Sequence, residues 1–175
     1  MEVAEVIKQR RSVRQFTDKE VPRDILKEIL EAGRWAPSPV NSQPWRFIII
    51  KNKEILNKIS QCARYSPYLK DVPMGIAIVV SPMKAYDWYD ELQENNFAAA
   101  CAAQNMMLRA WDLGIGSCWV SVDREEVAEL LEVPDELFLL CVIALGYPKD
   151  TPPEPKESQR IPVGGLTLEE KYSPI

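Results

Sequence analysis

The sequence predicts one domain in which helices pack against a sheet of buried strands, and three observations carry that expectation. Its 175 residues leave little room for a second domain at about 150 residues each, yet suffice to bury a core. Apolar, β-branched runs without polar alternation recur along the chain, as strands covered on both faces require. Between them, apolar residues repeat at helical spacing.

The elements follow in order. Val3, Val6 and Ile7 share one face of a short helix that runs into the basic stretch KQRRSVR. Pro22 suits a first helical position, and Ile25, Leu26, Ile29 and Leu30 continue that second helix to Gly33. Ala36 to Pro44, APSPVNSQP, is rich in proline, serine and asparagine and predicts an irregular loop. WRFIIIK from Trp45 predicts a strand buried on both faces. A polar helix over Glu54 to Ala63 and a second buried strand, GIAIVVS from Gly75 to Ser81, come next. Leu92 to Leu113 predicts a long helix whose middle, FAAACAAQNMML, is small and apolar nearly all round. Enclosing it takes either a covering sheet or a symmetry mate, and both remain open. Gly114 and Gly116 end it and lead into the strand SCWVSV; Asp123 and Glu126 then have capping-box spacing for a helix ending near Leu131. Phe138 to Ala144 is the last strand. Five prolines after Asp150 make residues 150–175 an extended tail, expected to lie along the body or a partner subunit.

Composition narrows the chemistry. Apolar residues at 46% and charged residues at 27% exclude a disordered or fibrous chain. The net charge of −5 has the wrong sign for spreading over nucleic acid. There is no histidine, which removes His-activated nucleophiles and the commonest transition-metal ligand. Cys62, Cys101, Cys118 and Cys141 are too far apart in sequence for a C-x-x-C pair and read as isolated buried thiols. With no apolar run of membrane length and no signal-peptide pattern, a cytoplasmic protein is expected.

Within this acidic chain, residues 6–17 hold Lys8, Arg10, Arg11 and Arg14 without one carboxylate. A solvated helix face is the bland explanation. The arginines, however, bracket Ser12 ahead of Phe16, gathering planar donors and a hydroxyl where a helix gives way to a loop. That suits a single phosphate monoester. Neither G-x-G-x-x-G after a strand nor a Walker A pattern is present, so side chains must grip such a phosphate, and an organic cofactor is expected to supply the chemistry.

Four blocks in order, RRSVRQF from Arg10, APSPVNSQPWRF from Ala36, LGIGSCW from Leu113 and LGYP from Leu145, resemble the nitroreductase family of FMN-dependent oxidoreductases. The resemblance implies an α+β fold with a central mixed, mainly antiparallel sheet surrounded by helices. It further implies an intertwined homodimer with tightly bound FMN at each subunit interface. Arg10, Arg11, Ser12 and Arg14 resemble the residues that hold the phosphate and the pyrimidine side of the flavin. Arg14 matches the cation beside N1 and the C2 carbonyl, where it stabilises reduced flavin; a second phosphate ligand is its other reading. Pro37, Ser38, Pro39 and Asn41 match contacts to the ring edge and ribityl chain, usually from the other subunit. Cys118, Trp119 and Val120 match the segment passing N5 and O4, although the Cys118 thiol reads better as a packing group. Trp45 likewise reads as core. In the tail, Arg160 fits one of two basic positions; Ser158 stands at the other and Lys156 is displaced by two residues. Lys70 is a further candidate cation.

The implied reaction is ping-pong: NADH or NADPH gives hydride to flavin N5, then a nitroaromatic, quinone or similar acceptor takes the electrons. Two alternatives stay open. One is a specialised branch, a dehalogenase, dehydrogenase or flavin-cleaving enzyme. The other is an FMN-binding module reduced by a protein donor; Tyr86, Trp88 and Tyr89 offer either a docking patch for it or a substrate-side flap, and a surface loop with anchoring aromatics is the bland reading.

Overall fold

A computed structural model describes residues 1–82 and 91–171; Tyr86, Trp88 and Tyr89 lie outside the described residues. Among the described residues nine regular elements follow in the order α1 (Val3–Gln9), α2 (Arg23–Arg34), β1 (Trp45–Ile50), α3 (Lys53–Gln61), β2 (Met74–Val80), α4 (Glu91–Asp112), β3 (Gly116–Val120), α5 (Arg124–Leu130) and β4 (Phe138–Gly146). Single 3-10 turns form at Pro39–Asn41, Pro67–Asp71, Glu157–Gln159 and Val163–Gly165.

The strands make one sheet in the order β1-β2-β4-β3, every neighbouring pair antiparallel. Its parallel component is a lone bridge between Ser12 and Ser117. Because side chains alternate along a strand, β2 feeds both faces and is buried throughout. Met74, Ile76, Ile78 and Val80 meet α2 and α4; Ala77 and Val79 meet α3, the Pro67–Asp71 turn and α5. A bulge between Ile78 and Val79 shifts the pairing with β4. One skipped residue reverses the alternation, so Leu139 joins the same face as Val142 and Ala144.

One sequence expectation changes here. β1 is not buried on both faces: it is an edge strand, with Arg46 exposed and Ile49 41% exposed, because only β2 pairs with it. Within one chain the helix α4 is sealed along one side, by the covering sheet and α2. Ala98, Ala99, Ala102, Ala103, Met106 and Ala110 are sealed against the sheet and α2, whereas Phe97 is 56% exposed and Cys101 and Gln104 face outward. The expectation of four buried thiols is met at Cys118 and Cys141; Cys62 is half-buried and Cys101 exposed.

Polar contacts fix the helices. Asn52 caps α3 by accepting from the N–H groups of Glu54 and Ile55, and Asp123 caps α5 by accepting from Glu126 at 3.1 Å. Asn105 of α4 donates to the Ala32 carbonyl at 3.2 Å, and Arg109 pairs with both Glu28 and Asp112. The Met1 ammonium meets Asp112 at 2.7 Å, holding α1 to the end of α4. Gly114, at φ +74, terminates α4 in the left-handed region. Among the described residues no helix is long and apolar enough to cross a membrane.

Candidate functional site

The basic segment is fastened to the open edge of the sheet. After α1 ends at Arg10, the chain runs beside β3, where the Val13 N–H donates to the Ser117 carbonyl at 2.9 Å. Farther on, Thr17 N–H donates to Tyr147 O at 2.9 Å, and Lys149 N–H to Gln15 O at 3.0 Å. Close approach is possible because residue 116 is glycine: a Cβ there would stand 2.8–2.9 Å from the Val13 side chain. Residues 10–14 are therefore a platform held by backbone bonds and a buried valine.

Charge accumulates on that platform. Arg10 and Arg11 are half-buried, and Arg14 is exposed. Among the described residues none of the three makes an ion pair with a carboxylate. Arg11 spends one guanidinium nitrogen on the Arg10 carbonyl at 2.6 Å; its other terminal nitrogen, Nη2, is buried without a partner. Burial, and then the charges of Arg11 and Arg160, push the Arg10 guanidinium below its ordinary pKa. In space, Ile7, Lys8, Arg11, Pro155, Lys156, Glu157, Gln159 and Arg160 line one groove between α1 and the tail.

The strand segment divides its labour. Since Ser117 turns its carbonyl outward to Val13, the backbone alternation of an antiparallel pair places the Trp119 amide on the free edge and commits Cys118 and Val120 to β4. Trp119 is therefore the residue here whose main chain is open to a ligand, and Val120 is not. The Cys118 thiol is buried in the α3-facing core and lies within 3.5 Å of the Trp119 carbonyl, as a packing group does.

Sequence reasoning missed Tyr68. Its hydroxyl is buried without a hydrogen-bond partner, and the groups acting on it are Cys118, Ser66 and Arg14. Burial first, then Cys118, pushes its pKa up to about 12, so it is a neutral phenol beside the platform. Apart from its place in SPYLKD next to Lys70, nothing in the sequence pattern marks it. Lys70 itself is exposed on the same turn, Pro67–Asp71.

The loop residues lie elsewhere. Pro37, Ser38, Pro39 and Asn41 precede β1, with Ser38 Oγ accepting from the Gln43 N–H at 3.0 Å. Val40, Asn41 and Gln43 have φ of 45, 58 and 49, an unusual concentration of left-handed backbone without glycine. Pro44 is tied to the end of β2, where Ser81 N–H donates to its carbonyl at 2.7 Å. Trp45 is 5% exposed, a core residue as expected. Trp45 pairs with Val80 and Val80 with Phe138, whereas Gly116 pairs with Gly146 at the other end of β4. Loop and platform thus occupy diagonally opposite corners of the sheet, more than ~20 Å apart by strand spacing and rise. One chain does not bring them together.

Comparison with known proteins agrees with this architecture. The nitroreductase family model matches residues 7–71 and 61–147. A Methanothermobacter thermautotrophicus protein with the provisional name NADH dehydrogenase/NAD(P)H nitroreductase is 36% identical over 160 residues, covering 87% of this chain and 80% of its own. The Bacillus subtilis FMN reductase [NAD(P)H] is 26% identical, covering 98% and 74%. Among solved structures, a Desulfovibrio desulfuricans protein provisionally described as a nitroreductase, in complex with FMN, superposes with a TM-score of 0.81 at 31% identity, covering 99% of each chain. By family match, relatives and fold together, the chain belongs to the nitroreductase family.

Proposed function

We propose that this protein is an FMN-dependent oxidoreductase that takes hydride from NADH or NADPH and passes electrons to a nitroaromatic, quinone or similar acceptor in a ping-pong cycle. The observation that carries the reading is the half-buried, carboxylate-free arginine pair with an orphaned Arg11 Nη2. A buried charged donor without a protein partner calls for a ligand or an ordered water, and the charge of this one favours an anion. A phosphate monoester supplies the oxygens and the negative charge.

In this reading Arg10, Arg11 and Ser12, with Arg160 from the tail, hold the FMN phosphate, each charge-assisted bond contributing about 1.5–3 kcal/mol. Bound FMN supplies the hydride-accepting centre that the side chains lack. Arg14, exposed and without a carboxylate partner among the described residues, would hold the pyrimidine end and supply the positive charge that favours reduced flavin. The Trp119 N–H on the free edge of β3 positions the ring without a titrating group. Tyr68, whose proton burial holds, stays neutral and so leaves the charge near Arg14 positive.

Pro37, Ser38, Pro39 and Asn41 complete the site from a second copy of the chain. Their distance from the platform supports a shared site, and so does the open stripe of Phe97, Cys101 and Gln104 on α4. Use of nicotinamide nucleotides fits a cytoplasmic enzyme.

An absorption spectrum tests the reading. The purified homodimer is expected to be yellow and to bleach anaerobically with NADPH or NADH; a colourless protein that takes up no FMN overturns it.

A further inference from the structure

The groove between α1 and the tail carries more positive charge than one flavin phosphate uses. Four cations, Lys8, Arg11, Lys156 and Arg160, line it against one carboxylate, Glu157, for a net +3. Half-buried Arg10 adds its charge alongside. A phosphate monoester brings about −1.5 to −2 at neutral pH. The flavin reading employs Arg10, Arg11 and Arg160 and leaves Lys8 and Lys156 with nothing to neutralise. Among the described residues neither lysine makes an ion pair.

The cations also differ in access. Arg10 and Arg11 are half-buried, as suits a group that stays bound. Lys8 and Lys156 are exposed on the rim, where a ligand can arrive and depart in each turnover. Lysine ammonium groups are mobile point charges without the fixed fork of arginine, fitted to a phosphate held briefly.

Resting on the flavin reading, we infer that Lys8 and Lys156 form a second phosphate subsite that takes the 2′-phosphate of NADPH, making NADPH the preferred reductant. NADH and NADPH share their pyrophosphate bridge and differ by this one monoester. A pair of ammonium groups matches its double charge; the pyrophosphate carries only one charge per phosphorus and would not distinguish the two nucleotides. Ile7 and Pro155 in the same groove give the attached adenosine an apolar surface.

The test uses the FMN-loaded protein and the double variant K8Q/K156Q. Wild type is expected to favour NADPH over NADH in kcat/KM, and the variant to lower that ratio about tenfold, through KM, as two exposed ion pairs imply. Calorimetry with adenosine 2′,5′-bisphosphate against 5′-AMP gives a readout independent of turnover: wild type binds the bisphosphate more tightly and the variant does not distinguish them. Equal use of both nucleotides by wild type overturns the inference, as does equal binding of the two probes. So does a variant that loses flavin while its NADPH-to-NADH ratio holds, since the lysines would then belong to the flavin phosphate. Failure to take up FMN sinks the flavin reading instead, and the calorimetric comparison still decides the groove.

Discussion

The two corners of the sheet solve opposite problems. At the β3 corner, charged residues 10–14 are clamped: Val13 is buried, its N–H is bonded to Ser117 and Gly116 admits it closely. At the β1 corner, a neutral loop is held in three left-handed residues and tied down at Pro44 and Ser38. Repulsion among cations would scatter an unanchored arginine cluster, so the backbone must fix it. A loop offering hydroxyls, amides and a proline face has no repulsion to overcome and can instead use strain to aim its groups.

Removing charge from the clamped corner should have the largest effect. Arg11→Ala is expected to weaken FMN binding by about ten- to a hundredfold, the equivalent of one charge-assisted bond, while the fold is kept. Flavin fluorescence titration measures it, and an unchanged affinity would move the phosphate elsewhere. Arg14→Ala is expected to weaken retention less and to slow flavin reduction, which stopped-flow absorbance reads separately.

Loosening the clamp comes next. Gly116→Ala puts a methyl group 2.8–2.9 Å from Val13, and the platform must move off the sheet. Overpacking of this kind destabilises by about 1–3 kcal/mol. Urea unfolding should show that loss together with weaker flavin binding, although no cation has been removed. Stability lost with flavin affinity intact would mean that the platform's seating on β3 does not govern the site.

The opposite sign is expected at the strained corner. Val40 is β-branched at φ 45, a conformation glycine adopts freely. Val40→Gly should therefore be neutral or stabilise by up to about 1 kcal/mol, the released strain offset by a more flexible unfolded chain. Thermal unfolding checks it. If the strain aims the loop, the more stable variant turns over more slowly.

How much of this was legible in the sequence depended on the range of the forces involved. Helices α2 to α5 and strands β2 and β4 were readable because periodicity and capping are local; Asn52 and Asp123 cap through bonds spanning two or three residues. The exposure of β1 was not, since WRFIII reads the same in the middle of a sheet as at its edge, and only the strand order decides. The two covers open to α4 could not be told apart for the same reason, as a stripe of alanines does not say how many neighbours it has. At the site, the arginine cluster was visible as uncompensated charge, but its seat on Ser117 depends on a pairing across more than 100 residues. Tyr68 carried no signal, because a tyrosine in a polar turn is ordinary until the fold buries its hydroxyl.

That hydroxyl gives the smallest effect. Buried without a partner, it contributes little, and Tyr68→Phe should be neutral or slightly stabilising near neutral pH. Its signature lies at high pH. The folded phenol holds its proton up to about 12, against an ordinary value of 10.0 once the chain unfolds. Below pH 10 both states are protonated and its contribution is fully present; as pH climbs from there toward 12 the unfolded state ionises first and stability drains away. Wild type should thus lose stability along an alkaline limb that Tyr68→Phe flattens and Tyr65→Phe, at a ring 80% exposed, leaves in place. Denaturant midpoints taken through that range, with tyrosinate absorbance of the native protein, measure it. An identical limb in both variants would mean that the Tyr68 hydroxyl meets solvent.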